Sequence, residues 1–260
     1  MSSAFWQDHD YPRALAQSRI ALELLRGTDE ADAARLRAAA ISVLGGDHQG
    51  ALDLAREGIR STLAFNASAR SGEGHQTMLP ALHQIAGEAE WALKQPAAAA
   101  EHLREAVKLA RGTFGDEDYV TITMAARLAE FLFVSGQGAE ARQILAEAVR
   151  RLADRPVNPA ADSPFDALAA VGRARQAAGE PAAALTSFSY ALALRPDADA
   201  SPAVAELLRW QTRALLALGR REEAAAALDR GIAMRTRSGL QSGTALLDEA
   251  ELRTRLAGPE

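Results

Sequence analysis

FDALAAVGRARQAAGEPAAALTSFSYALALRP, from Phe165 to Pro196, decides the fold. It holds two runs rich in Ala, Leu and Arg, which are good helix formers, separated by Gly179-Glu180-Pro181. Glycine accepts the left-handed conformation that ends a helix, and proline is tolerated in the first turn of the next. In the second run Ala184 and Ala191 lie seven residues apart, which is two helical turns. Both small side chains therefore share one stripe, with Leu192 beside them. The stretch predicts two antiparallel helices whose backbones approach closely along small residues.

The same device recurs outward in both directions. The units are Ala14/Ala21-Leu22, Ala51/Gly58-Ile59, Ala99/Ala106-Val107, Ala141/Ala148-Val149, Ala184/Ala191-Leu192 and Ala224/Gly231-Ile232. Successive first alanines lie 37, 48, 42, 43 and 40 residues apart, within or close to the period of helical solenoids. Turn chemistry supports the register independently, because Gly46, Gly136, Gly179 and Gly219 each precede a marker alanine by five residues. Small residues at regular spacing mark a repeat array rather than one globular core.

Helices are expected over Tyr11–Arg26, from a cap at Thr28 or Asp29 to Leu44, over His48–Leu63, Thr77–Leu93 and Pro96–Arg111, from Asp116 or Asp118 to Val134, and over Ala139–Leu152. Further helices are expected over Phe165–Ala178, Pro181–Leu194, Pro202–Leu218, Arg221–Arg237 and Thr244–Leu256. Asn66–His75 reads as a flexible loop, Gly112–Asp116 as a connector, and Asp154–Pro164, Arg195–Ser201 and Gly239–Gly243 as links. The last helix reads as an end cap, with Leu246, Leu247, Ala250, Leu252 and Leu256 on its apolar side and Asp248, Glu249, Glu251, Arg253 and Arg255 on its polar side.

Composition narrows the function. The 260 residues are 48% hydrophobic and 24% charged, which excludes global disorder. A net charge of −5 argues against nucleic-acid binding, which favours a basic excess. The chain has no cysteine, so disulfides, thiolate catalysis and cysteine-ligated zinc are excluded. Nearly every basic residue is arginine, a bias that reads as GC-rich bacterial coding. No apolar run reaches membrane-spanning length, and Met1–Trp6 lacks a basic-then-apolar leader, so a cytoplasmic location without membrane contact is expected.

The pattern Leu168-x-x-Val171-Gly172-x-x-Arg175, Gly179, Ala184-x-x-x-Phe188-x-x-Ala191-Leu192 and Pro196 resembles the tetratricopeptide repeat. Arg175 departs from it where an aromatic residue is usual. The stretch Leu103–Val149 is similar to the longer repeats of kinesin light chains and many bacterial proteins. There Gly115-Asp116-Glu117-Asp118 matches the connector, while Ala125-Ala126 stand where paired asparagines are common. The resemblance implies an all-α, right-handed α–α superhelix of about five and a half helical hairpins with a C-terminal capping helix, forming one domain over 1–260. The units expected are 4–27, 31–65, 77–112, 117–153, 165–196 and 202–238, with the cap at 244–256. Because the first hairpin is represented only by its second helix, preceded by Phe5-Trp6, the chain is expected to be a piece of a longer protein. Such arrays resemble the C-terminal parts of bacterial Ser/Thr kinases and transcriptional regulators.

In that family the first helix of each pair lines the concave face. Helical periodicity then turns inward Gln84, Glu88 and Trp91; Arg127, Glu130 and Phe133; Arg173 and Gln176; and Arg209, Trp210 and Arg213. Trp6, Trp91 and Phe133 take equivalent places. Trp and Arg dominate binding energy at interfaces, so the expected site is a groove with a basic C-terminal half and an aromatic floor. A peptide bearing carboxylates would meet Arg173, Arg209 and Arg213. The opposing reading leaves the arginines solvated and packs the tryptophan rings between repeats. The lysine–asparagine carboxylate clamp is absent.

No His-Glu-x-x-His, Gly-x-Ser-x-Gly or phosphate-loop motif occurs, so no catalytic residue, metal site or cofactor is expected. The histidines at 9, 48, 75, 83 and 102 read as scattered surface residues. The reading is a non-enzymatic scaffold for protein or peptide partners, acidic ones included. The alternative is a regulatory module of a larger bacterial signalling protein. Open repeat ends also suit self-association.

Overall fold

A computed structural model describes residues 11–25, 30–68, 75–154, 164–195, 201–237 and 243–258. The described residues form helices α1 (Tyr11–Leu24), α2 (Ala31–Gly45), α3 (His48–Ser68), α4 (Leu79–Ala92), α5 (Pro96–Phe114), α6 (Tyr119–Val134) and α7 (Gly138–Asp154). They continue as α8 (Pro164–Ala177), α9 (Pro181–Ala193), α10 (Pro202–Ala217), α11 (Arg221–Arg237) and α12 (Gly243–Ala257). A short 3₁₀ turn, His75–Met78, leads into α4, and no strand occurs among the described residues. Trp6, the caps expected at Thr28 or Asp29, Pro196, and residues 69–74, 155–163, 196–200 and 238–242 lie outside the described residues.

Two compact units divide the chain, Met1–Asp116 and Glu117–Glu260. In the first, α2/α3 and α4/α5 are antiparallel pairs, α3 packs on α4, and α1 packs on α2. In the second, α6/α7, α8/α9 and α10/α11 pair in the same way, α6 packs on α8, α9 on α10, and α12 closes on α10 and α11.

The hairpins turn by one repeated hydrogen-bond motif. Gly46 N–H donates to the Val43 carbonyl at 3.1 Å and Asp47 N–H to the Ser42 carbonyl at 2.9 Å. The same two bonds recur at Gly136/Gln137, Gly179/Glu180 and Gly219/Arg220. All four glycines are left-handed, with φ of 83°, 81°, 80° and 73°. Each is the αL residue of a cap that satisfies the last carbonyls of the first helix. A fifth cap completes the set without glycine. Lys94 has φ of 64°, and it and Gln95 donate to Trp91 and Glu90 at 3.0 and 2.8 Å. Lys94 lies five residues before Ala99, the place glycine holds in the other units. The tertiary position of α5 imposes on a lysine a conformation it disfavours by about 1–2 kcal/mol.

The marker residues are buried where the helices meet. Ala51, Ala99, Ala141, Ala184 and Ala224 are all fully enclosed, as are Ala106 and Ala191. Ala21 is half-buried, and the side chain of Ala14 lies outside the described set. Gly58 shows why the residue must be small, because a Cβ there would stand 2.9 Å from Leu82 Cδ2. Gly172 is tighter, since a Cβ would stand 2.3 Å from Phe188 Cε1. Phe188 fills this gap inside a core of Phe165, Ala184, Ala191, Val204, Leu208 and Met234. Arg175, the departure from the repeat pattern, joins α8 to α9 by donating to Ser187 Oγ at 2.9 Å and to the Ala183 carbonyl at 3.3 Å.

Three local expectations need correction. Helix α3 runs on to Ser68, so Asn66–Ser68 are helical rather than loop. Helix α5 continues through Gly112 and Thr113 to Phe114, because one interior glycine costs only about 1 kcal/mol. The start of α12 reverses the expected polarity: Leu247 is 75% exposed while Glu249 is buried. Glu249 accepts two bonds from buried Arg235, at 2.7 and 2.8 Å, which offsets its desolvation.

Lys94→Gly is expected to raise unfolding stability by about 0.5–1 kcal/mol in denaturant titrations, the αL relief being partly offset by chain entropy. Gly172→Ala is expected to lower it by about 1–3 kcal/mol, because the Phe188 ring has to leave its place.

Candidate functional site

In the second unit, α6, α8, α10 and α12 bring a cluster of charged side chains together. Arg173 on α8 donates through Nε and one terminal nitrogen to both oxygens of Glu130 on α6, at 2.8–3.1 Å. It also lies 3.5 Å from Glu206 on α10. The Trp210 ring on α10 carries Arg173 at 5.1 Å and Arg213 at 4.7 Å from its centroid, within cation–π range. Asp248 on α12 pairs with both Arg209, at 3.5 Å to Nε, and Arg213.

Glu206 is the accessible centre. Its side chain keeps 46% of its surface, yet three guanidinium groups face it. Crowding by protein pushes its carboxyl up. Arg173, Arg127 and Arg209, with a hydrogen bond from Trp210, outweigh this and hold it below the ordinary value. The carboxylate is therefore ionised at neutral pH. Four arginines (127, 173, 209 and 213) thus work against three carboxylates (130, 206 and 248) on this face. The arginines are neither a bare basic patch nor merely solvated, because each that meets this cluster has an acidic neighbour.

Of the residues chosen from sequence, Arg127, Glu130, Arg173, Arg209, Trp210 and Arg213 share this cluster. Phe133 and Gln176 lie half-buried in the last turns of α6 and α8. Their carbonyls accept the cap bonds from Gly136 and Gly179. Trp91 holds the matching place in the first unit, 37% exposed, one turn beyond a Gln84–Glu88 hydrogen bond of 2.9 Å. Sequence reading missed Glu206 and Asp248. The signal for Glu206 was its place three residues before Arg209 on one helical face.

A second cluster, in the first unit, also went unread. His83 on α4 and His102 on α5 meet through their Nδ1 atoms at 3.0 Å. Buried Glu90 lies 3.6 Å from His102 Nε2 and accepts from Arg56 at 3.0 Å. Burial and the facing His102 push His83 down to about 4, against a weaker pull from Glu105 and with Lys108 adding to the push. Among the described residues no group of three or more side chains is arranged to hold a metal ion. No described helix is long and apolar enough to cross a membrane.

No protein-family model matches the chain, and no curated protein matches it. Solved structures do. The chain is similar to BtubC (BKLC) from P. vanneervenii, with a TM-score of 0.54 and 17% identity over 89% of this chain and 90% of that one. It is similar to a Podosopora anserina putative kinesin light chain with nearly identical TPR-like repeats, at 0.50 and 21%, over 83% of this chain and 100% of that one. It is also similar to the Rap conjugation gene regulator of plasmid pLS20, solved with the Phr* peptide, at 0.58 and 16%, over 86% of this chain and 56% of that one. These likenesses establish the fold, all-α and of the tetratricopeptide type.

Because the folded protein holds His83 neutral, the unfolded chain takes up the proton first as pH falls below 6.5, and stability drops toward a plateau near pH 4. His83→Gln is expected to flatten this loss. Thermal melts of both proteins between about pH 7 and about pH 4.5 check it, and equal slopes would remove the assignment.

Proposed function

We propose that this chain is a non-enzymatic interaction scaffold that receives a peptide or partner domain on the face made by α6, α8, α10 and α12. The observation that carries the reading is the convergence of Arg127, Arg173, Arg209 and Arg213 around Trp210 and accessible Glu206. Guanidinium groups held by carboxylates and stacked on an indole are already oriented, so less side-chain entropy is lost on binding. Their forks suit the carboxylates of an acidic partner, and Glu206 remains for a basic group beside it. Trp91 offers an exposed aromatic contact in the first unit. The fold supports this reading by precedent, since the pLS20 regulator was solved holding a peptide.

The chemistry suits protein rather than nucleic acid, with a net charge of −5. We take the scaffold to be cytoplasmic and free of the membrane. Leu247 on α12 and Leu24 on α1, both largely exposed, are apolar contacts available for self-association at the repeat ends. The second reading, a regulatory module of a larger bacterial signalling protein, draws on the pLS20 regulator, whose chain extends well beyond the part matched here. An attached kinase or DNA-binding segment in the native reading frame would favour it.

Capture from a native lysate, read by mass spectrometry, tests the scaffold reading. Arg209→Ala combined with Arg213→Ala should keep the helical far-UV spectrum and lose the proteins retained by the unmodified chain. Retention of the same proteins by the double variant would remove the assignment of this face.

A further inference from the structure

The arginines chosen as anchors for a ligand already hold a carboxylate. Asp248 reaches from α12 to Arg209 and Arg213 together, and all three side chains are largely enclosed. The grip on the two is unequal. Arg213 donates a hydrogen bond to Asp248, whereas Arg209 Nε, at 3.5 Å, makes only an ionic contact and has no hydrogen-bond partner among the described residues. Two guanidinium groups this close disfavour one another and need an anion between them. Burial followed by Arg209 pushes Arg213 down, and Asp248 counters it.

Asp248 is not what fastens its own helix. Helix α12 is anchored by the buried Arg235–Glu249 pair, with bonds of 2.7 and 2.8 Å, and by fully buried Leu252. The Asp248 side chain can therefore swing out while α12 stays docked. What it leaves is a pair of arginines beside the Trp210 ring, which Arg213 overlies at 4.7 Å. An aspartate in this place shows which chemistry the pair accepts.

We infer that Asp248 is an internal stand-in for a ligand carboxylate, occupying the Arg209–Arg213 pair until an acidic side chain of a bound peptide displaces it. This rests on the reading of the α6–α8–α10–α12 face given above and adds its regulation: affinity for acidic peptides is set by competition with a residue of the same chain. Asp248 competes at high effective concentration because it is tethered. Only a peptide with further contacts on the face, such as the Trp210 ring and Glu206, displaces it. Isolated carboxylates do not.

The test uses the full chain and a fluorescein-labelled peptide carrying glutamates with one leucine and one lysine, so that it brings carboxylates, an apolar group for the Trp210 ring and a cation for Glu206, read by anisotropy at low salt. Asp248→Asn keeps the size of the side chain and removes its charge. It is expected to bind the probe at least about fivefold more tightly than the unmodified protein, within the range usual for coupled sites. Adding Arg213→Ala should cancel the gain. An Asp248→Asn protein that melts normally and binds no tighter than the unmodified chain overturns the inference, and so does a gain that survives Arg213→Ala. The peptide-docking reading is judged separately, by lysate capture with the Arg209/Arg213 double variant, and stands or falls on that result. Should Asp248→Asn not fold, the side-chain carboxyl carbon-13 resonance of Asp248 in the unmodified chain decides. The saturating peptide must shift that resonance, and an unmoved resonance overturns the stand-in role.

Discussion

A six-to-one hydrogen bond closes the first helix of every pair, and the rest of the architecture depends on it. Its five copies among the described residues, at Asp47, Gln95, Gln137, Glu180 and Arg220, use the same carbonyl position and follow a left-handed residue, glycine in four and Lys94 in the fifth. A cap of this kind fixes where the helix stops and the direction in which the chain leaves. The second helix then starts in a set register, so that the alanine five residues past the left-handed position always arrives at the contact with its partner. That alanine is fully enclosed in all five units. The Lys94 copy shows the ranking of effects. Enclosing Ala99, Leu103 and Ala106 of α5 outweighs the strain on one lysine backbone, because burial of several apolar side chains contributes more than about 1–2 kcal/mol.

The caps also set the register of the charged face. Counting back six residues from the left-handed position gives Glu88, Glu130, Arg173 and Arg213 in successive first helices. Within the second unit, equivalent positions on adjacent helices come opposite one another, and Glu130 with Arg173 makes the fork-to-fork pair that the geometry favours. Where the series next places two arginines, Arg173 and Arg213, an indole stands against both. Repulsion between like charges is thus screened by the negative face of the Trp210 ring and by Glu206 and Asp248. The cluster follows from a repeated backbone motif carrying different side chains at one position.

How much of this was legible depended on whether the cause was local. The left-handed glycines, the prolines opening α5, α8, α9 and α10, and the Asp118 side chain that accepts from Val120 N–H at 2.8 Å are all short-range chemistry, and each was readable. The alanine stripes were readable because two helical turns bring them onto one face. The acids were not. Glu206 is one of many carboxylates on helix surfaces, and its meaning comes from Arg127 and Arg173 on other helices. Helix α12 was assigned the wrong outer side at its start because hydropathy treats Glu249 as solvent-seeking, whereas the buried Arg235 fork makes it an inward residue. The His83–His102 contact joins two helices across a hairpin, and nothing in either local pattern announces it.

Charge balance changes what binding at this face means energetically. A partner approaching free arginines would gain a new ion pair at the cost of desolvating it. Here Arg173, Arg209 and Arg213 are already paired and largely removed from water. The desolvation cost is therefore met during folding, where burial of Leu252, Leu208 and the alanine stripes supports it. An incoming carboxylate exchanges with a resident one, and such an exchange is close to neutral, because one charge-assisted bond replaces another. Selectivity must then come from what the resident acid does not contact. The partly buried Trp210 ring and the accessible Glu206 carboxylate supply that difference, an apolar surface and a negative charge set beside two arginines. A ligand that matches all three elements gains over Asp248, and one that brings only a negative charge gains nothing. Folding first and exchanging later makes the face selective through its neutrality, which a bare basic groove, open to any polyanion, does not achieve.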